Sequence, residues 1–193
     1  MKIESYIKHR LYVVRYNNEP DNVLEYFLEE FQRNEFLTDF FNKYKYNISP
    51  YLQTAVGIKP HCVDEWVNKV RIQVMEFQNK IYDLEDEYDD TGDVDFHHLF
   101  EEYEGNENRK YNALKCYCID VKTSASNCPS LIRVWAIEVG KAIVILYAGI
   151  KLQHAISQCP VLNEELNQKI AQVCDFLKAR EVKTVEDLDH ISE

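Results

Sequence analysis

The segment from Leu131 to Lys151 constrains the fold more than any other part of the chain. It reads Leu-Ile-Arg-Val-Trp-Ala-Ile-Glu-Val, then Gly-Lys, then Ala-Ile-Val-Ile-Leu-Tyr-Ala-Gly-Ile-Lys. Two runs rich in β-branched and aromatic residues flank a Gly-X pair, the pattern of a β-hairpin closed by a two-residue loop. From Ala142 to Ile150 no residue is charged, which predicts a central strand covered on both faces. The partner run carries Arg133 and Glu138. A charge in so apolar a hairpin is either a solvated edge group or part of a site.

Two further strands are expected around this hairpin. Ala113 to Lys122 alternates so that Lys115, Tyr117, Ile119 and Val121 fall on one side. A polar turn ending at Pro129 follows, so this strand and the hairpin form a consecutive antiparallel meander. Arg10 to Asn17 reads as an N-terminal strand stopped by Asn-Asn-Glu-Pro. Apolar residues then recur at helical spacing, first at Val23, Leu24, Phe27, Leu28 and Phe31 behind Asp21 as a cap. They recur again at Phe36, Leu37, Phe40, Phe41 and Tyr44, an aromatic stripe that reads as core. Two prolines and Gly57 make Asn47 to Pro60 a connector with at most a short helical turn, and His61 to Lys80 reads as a further helix through Trp66, Val70, Val74 and Phe77. Leu162 to Arg180, capped by Asn163, is a C-terminal helix, and Thr184 with Asp187 opens a short last one.

Charge is unevenly placed. Of 33 acidic residues, twelve lie between Asp83 and Glu107, where no lysine or arginine occurs, so the rest of the chain is nearly neutral against 22 bases. This distribution argues against whole-surface binding to nucleic acid and leaves a local site open. The acidic tract predicts a solvated loop around a Thr91-Gly92-Asp93 turn, followed by a short amphipathic helix from Phe96 to Tyr103. A calcium loop on Glu87, Asp89, Thr91 and Asp93 would place His98 where a bidentate glutamate is needed. No apolar run approaches the roughly 20 residues that cross a bilayer, and the charged first ten residues do not resemble a signal peptide. A soluble, cytoplasmic protein with reduced cysteines is the expectation. None of the six cysteines has zinc-finger spacing, so no structural metal is expected.

The unusual chemistry lies in the strand-borne bases. Lys115 and Arg133 sit inside apolar strands, Lys151 and His154 follow the last strand, and Tyr117 and Tyr147 belong to the same meander. Histidine and tyrosine transfer protons, while arginine and lysine stabilise a crowded phosphate, a set suited to metal-free RNA cleavage. The plain alternative is that Lys115 and Arg133 snorkel or pair with Glu138 and Asp120. No glycine-rich phosphate loop, serine elbow or HExxH helix is present, and adjacent His97 and His98 diverge on a helix.

Leu131-Ile132-Arg133-Val134-Trp135, Gly140-Lys141, Ile143-Val144-Ile145-Leu146-Tyr147 and Gly149-Ile150-Lys151, then Pro160 and a helix with Lys169, resemble the RelE/HigB family of bacterial toxins over about half the chain. The resemblance implies a toxin that cuts messenger RNA on the ribosome without a metal or cofactor and is neutralised by an antitoxin protein. By position it makes Arg133 the strand arginine on phosphate and Lys151 the first base after the last strand. His154 and Tyr147 become proton-transfer candidates, and Lys115 with Tyr117 RNA contacts.

The expectation is therefore one α+β domain, residues 1–193. A small antiparallel sheet, the C-terminal meander plus the N-terminal strand, packs on helices, and residues 34–107 form a helical and acidic insertion. Its expected function is a RelE/HigB-like endoribonuclease toxin or a decayed relative. The alternative is a non-catalytic interaction module whose acidic segment, residues 83–107, binds a basic partner. A metal-dependent enzyme using the acidic tract with His97 and His98 is a third possibility. Convergence of Lys115, Arg133, Lys151 and His154 separates the first two readings.

Overall fold

A computed structural model describes residues 1–94, 101–102, 116–120, 130–153 and 158–192. The expected hairpin is present as β5 (Ile132–Val139) and β6 (Ala142–Ile150), with Gly140 at φ +63°, the left-handed conformation that a two-residue loop needs at its first position. Nearly every residue of both strands is buried, as expected for a sheet covered on both faces. β4 (Cys116–Asp120) pairs antiparallel with β5, and β3 (Glu101–Glu102) pairs with β4. Glu101 and Glu102 are thus in a strand and not in the expected helix, the rest of which lies outside the described residues.

The N-terminal region adds β1 (Lys2–Ile7) and β2 (Leu11–Arg15), joined by a tight turn in which His9 has φ +63°. The sheet order is β1-β2-β6-β5-β4-β3. The fold is α+β, but the sheet is mixed, because β2 pairs with β6 in parallel, Leu11 opposite Ile143 and Val13 opposite Ile145. β1 has an edge-strand pattern, with Ile3 and Ile7 buried while Lys2 and Ser5 face solvent.

Helix α1 (Val23–Glu30) starts one residue later than the sequence suggests. Asn22 is its cap, accepting from the amides of Leu24 and Glu25 while the Glu25 side chain returns to the Asn22 amide. α2 (Asn34–Tyr44) is as expected. The expected connector holds a helix, α3 (Pro50–Val56), because Ser49 caps it, Pro50 occupies its first turn and Gly57 closes it at φ +76°.

The main departure is α4 (Val63–Thr91), which runs through the first half of the acidic tract and stops at Gly92 in the left-handed conformation. Phe77, Ile81 and Leu84 carry the buried stripe onward, with Tyr88 packed against the same core. Asp83, Asp86, Glu87, Asp89 and Asp90 are exposed on the remaining surface. Helical geometry replaces the calcium loop at Glu87 and Asp89. Rings of Phe27 and Phe77 meet edge-on at 5.7 Å, and those of Phe41 and Trp66 stack at 6.1 Å, so α1, α2 and α4 form one group. Buried Gln73 ties this group to the sheet by accepting from the Leu131 amide at 2.9 Å.

Helices α5 (Pro160–Ala179) and α6 (Val185–Ser192) complete the fold. Both pack on the sheet face that carries Tyr12, Tyr16 and Tyr147, which leaves the α1–α2–α4 group to cover the opposite face. α6 is held by Asp189, which accepts from the Tyr12 hydroxyl at 2.6 Å and lies 2.5 Å from His9 Nδ1. Partial burial pushes the Asp189 carboxyl up, but these two bonds outweigh it and hold it below its ordinary value. The Asp187 carboxylate accepts from the amides of Lys183 and Thr184, and the Asp187 amide donates to Thr184 Oγ1 in return, the expected capping box. No helix among the described residues is long and apolar enough to cross a membrane.

Candidate functional site

The register of the hairpin decides which expected site residues meet. Arg133 is opposite Gly149 and Trp135 opposite Tyr147, so Arg133 and Tyr147 are diagonal neighbours on one sheet face. The Trp135 and Tyr147 rings lie 5.6 Å apart. Arg133 is only 8% exposed, and its Nη1 donates to the carbonyls of Ile132 at 2.9 Å and Ser130 at 3.2 Å. This guanidinium holds the main chain where β5 begins. Lys151 is half-buried, its amide donating to the Leu131 carbonyl at 2.7 Å.

Tyr147 donates its hydroxyl to Glu165 on α5 at 2.5 Å. Burial, reinforced by that carboxylate, raises the phenol well above its ordinary range, so it stays protonated at neutral pH. Tyr117 stands in β4 opposite Ala136. His154 and Lys115 lie outside the described residues, as do His97 and His98. Arg133 and Tyr147 are therefore brought to one face. A single phosphate-sized cluster of all the candidate groups is not seen among the described residues.

What the structure does form beside this hairpin is a cavity of about 670 Å³. It follows from a mismatch of strand lengths. β2 pairs with β6 only as far as Val13 opposite Ile145, and the chain then turns away at Tyr16 toward α1. Tyr16 stays attached by donating its hydroxyl to the Leu146 carbonyl at 2.8 Å. β6 continues to Ile150, so the space beside its last residues has no neighbouring strand.

Aromatic rings from α1 and α2 roof that space. Phe27 and Phe31 lie 4.8 Å apart, Phe31 and Phe36 5.4 Å, and Phe40 and Tyr44 5.0 Å, and all five rings line the cavity. Ala148, Gly149 and Ile150 form its floor, and Leu162, Glu165 and Lys169 of α5 its far wall. Gly149 makes room for the last contact, because a Cβ there would sit 2.7 Å from Leu162 Cδ1 and the tip of the leucine would have to shift. The absence of a Cβ lets the first turn of α5 come down onto the strand.

The charged groups of the wall are engaged with one another. Lys169 Nζ is 3.2 Å from Glu19 Oε1 and 3.3 Å from the centroid of the Tyr16 ring, a cation–π contact across the wall. Burial pushes the Tyr16 hydroxyl up, with the Glu19 charge adding to it. Glu165 is held by Tyr147. The described wall thus presents mostly carbon surface, with its lysine and both carboxylates already bonded. Such a surface suits binding of an apolar, ring-bearing molecule. Among the described residues no group of three or more His, Cys, Asp or Glu side chains is placed to hold a metal ion.

Sequence reasoning passed over this cavity because Phe31, Phe36, Phe40 and Tyr44 have the spacing of core residues. Helical periodicity reports which side of a helix faces inward, and both packed core and cavity wall are inward. The only local signal was Gly149 inside an otherwise apolar strand, a position where another element approaches closely. Comparison with known proteins adds no family: the chain matches no family model, no curated protein and no solved structure.

Proposed function

We propose that this chain is a binding protein for a compact, apolar, ring-bearing organic molecule, held in the cavity between α1, α2, the end of β6 and α5. The observation that carries this reading is a cavity of about 670 Å³ walled by aromatic rings whose neighbouring charges are already paired. Sites of several hundred cubic ångströms with largely apolar walls and a few fixed polar groups are the usual form of small-molecule pockets.

Titration with N-phenylnaphthylamine, a dye that fluoresces in apolar surroundings, tests it directly. One saturable site of roughly micromolar affinity is expected. Leu162→Trp, which fills the wall from a half-buried position, should weaken the dye by about tenfold or more while the melting temperature holds. Absence of saturable enhancement in the folded protein refutes the proposal.

A second reading, a RelE/HigB-like endoribonuclease toxin or a decayed relative, draws on the placement of Arg133 and Tyr147 as diagonal neighbours on one face. It requires the Arg133 guanidinium to leave the carbonyls of Ser130 and Ile132 and reach a phosphate. Growth arrest on expression, relieved by Arg133→Ala in a protein that still folds, would favour it. Harmless high-level expression would remove it.

A further inference from the structure

We infer that the cavity selects its ligand through the main chain of β6, and that the ligand is a flat heteroaromatic ring carrying an adjacent hydrogen-bond donor and acceptor, as in a lactam or purine edge. The inference rests on the cavity being a ligand site and adds what that site recognises.

Main-chain direction along β6 follows from one bond. The Lys151 amide donates to the Leu131 carbonyl, which makes this a hydrogen-bonded antiparallel pair. Pairs alternate along an antiparallel ladder, and the register runs Ile132–Ile150, Arg133–Gly149, Val134–Ala148 and Trp135–Tyr147. The amides and carbonyls of Gly149 and Tyr147 therefore face β5, whereas those of Ala148 and Ile150 face the opposite side. On that side the pairing of β2 with β6 has ended at Val13–Ile145, and the Tyr16 hydroxyl takes only the Leu146 carbonyl. Ala148 and Ile150 both line the cavity. Among the described residues no hydrogen bond reaches these two amides and two carbonyls.

Among the described residues, two donors and two acceptors thus open onto a wall that is mostly carbon. Main-chain groups left without partners in such a place are costly, and satisfying them favours any ligand able to do so. They lie along one strand edge, in the plane of the sheet. A ligand must therefore bring its donor and acceptor in that same plane. A flat ring does this with its rim and offers its faces to the surrounding phenylalanine and tyrosine rings, which favour offset or edge contacts. Phe27, Phe31, Phe36 and Phe40 supply that surround. An aliphatic chain would use the rings and leave the strand edge unmet.

The test compares carbostyril, a bicyclic lactam, with coumarin, its isostere in which a ring oxygen replaces the N–H. Binding to the full chain is followed by amide-resolved NMR. Carbostyril should bind at least about tenfold more tightly than coumarin, since coumarin leaves a strand carbonyl unpaired. The Ala148 and Ile150 amides should shift with carbostyril. Ala148→Pro removes one cavity-facing donor without touching the β5 ladder and should weaken carbostyril several-fold with little effect on coumarin. If that variant does not fold, the ligand pair decides alone. Equal affinities overturn the inference while leaving the cavity reading intact, as does failure of both rings where N-phenylnaphthylamine still saturates. Failure of all three overturns both.

Discussion

Replacing Gln73 by glutamate and, separately, by leucine measures how the long α4 helix is fastened to the sheet. The Gln73 side chain is fully buried, with Oε1 accepting from the Leu131 amide at 2.9 Å and Nε2 without a hydrogen-bond partner. Gln73→Leu leaves the Leu131 amide unpaired, a loss of about 1–3 kcal/mol, but also removes the partnerless Nε2, which returns a similar amount. The net change should stay within about 1 kcal/mol. Gln73→Glu keeps the acceptor and introduces a buried carboxyl. Ionised, it should cost about 3 kcal/mol, corresponding to a folded-state pKa roughly two units above that of the unfolded chain.

The sign follows from proton binding. A carboxyl whose folded pKa is raised binds more protons folded than unfolded between the two values, so stability falls as pH rises through that window. The penalty should be nearly absent near pH 4 and complete above about pH 7. Urea unfolding of Gln73→Glu against wild type at both ends of this range provides the measurement. An equal deficit at both pH values would show that the acid is not desolvated. A loss above about 3 kcal/mol in Gln73→Leu would show that the bond to Leu131 far outweighs the buried amide.

Asp189 should give the protein an acid-sensitive attachment of α6. Its carboxyl is held below the ordinary value by Tyr12 and His9, so the stabilisation is present above about pH 4 and is lost as pH falls through the lower folded value. Hydrogen exchange in α6 should accelerate there in wild type, and the same acid response in Asp189→Asn would refute the assignment. Arg133→Ala should destabilise by about 2 kcal/mol, because the Ser130 carbonyl loses this donor, the Ile132 carbonyl is left with the Ser130 hydroxyl, and the buried stem leaves a void. Chemical denaturation within error of wild type would show that this arginine has no structural role.

The sequence was most legible where local chemistry and tertiary position agree. Gly140 and the charge-free run from Ala142 to Ile150 specify a buried hairpin, and the aromatic spacing of α1 and α2 specifies helices facing inward. It was misleading where one residue type serves two purposes. Ser49-Pro50 resembles a break yet is a helix cap followed by proline at the first helical position. The acids from Asp83 to Asp90 hid the continuation of the inward stripe through Ile81, Leu84 and Tyr88 that keeps α4 helical. Lys2 and Glu4 hid an edge strand. Parallel pairing of β2 with β6 has no local signature at all. The cavity exists only because those strands end at different heights, so it was out of reach of any residue pattern. Arg133 shows the converse: its unusual position was visible, but whether its guanidinium met phosphate or main chain depended on contacts around Ser130.

That parallel pairing also sets the order in which the molecule can be assembled. Leu11 finds its partner Ile143 about 130 residues downstream, and the two strands meet inside the sheet, one strand in from its β1 edge. As the chain emerges from the ribosome at about 5–20 residues per second, β1 and β2 are made first and wait, with one apolar flank of β2 uncovered, until the last hairpin arrives. A topology dominated by such distant partners folds slowly and is prone to self-association in the interval. Truncation before β6 would therefore leave the N-terminal hairpin without the neighbour that completes it.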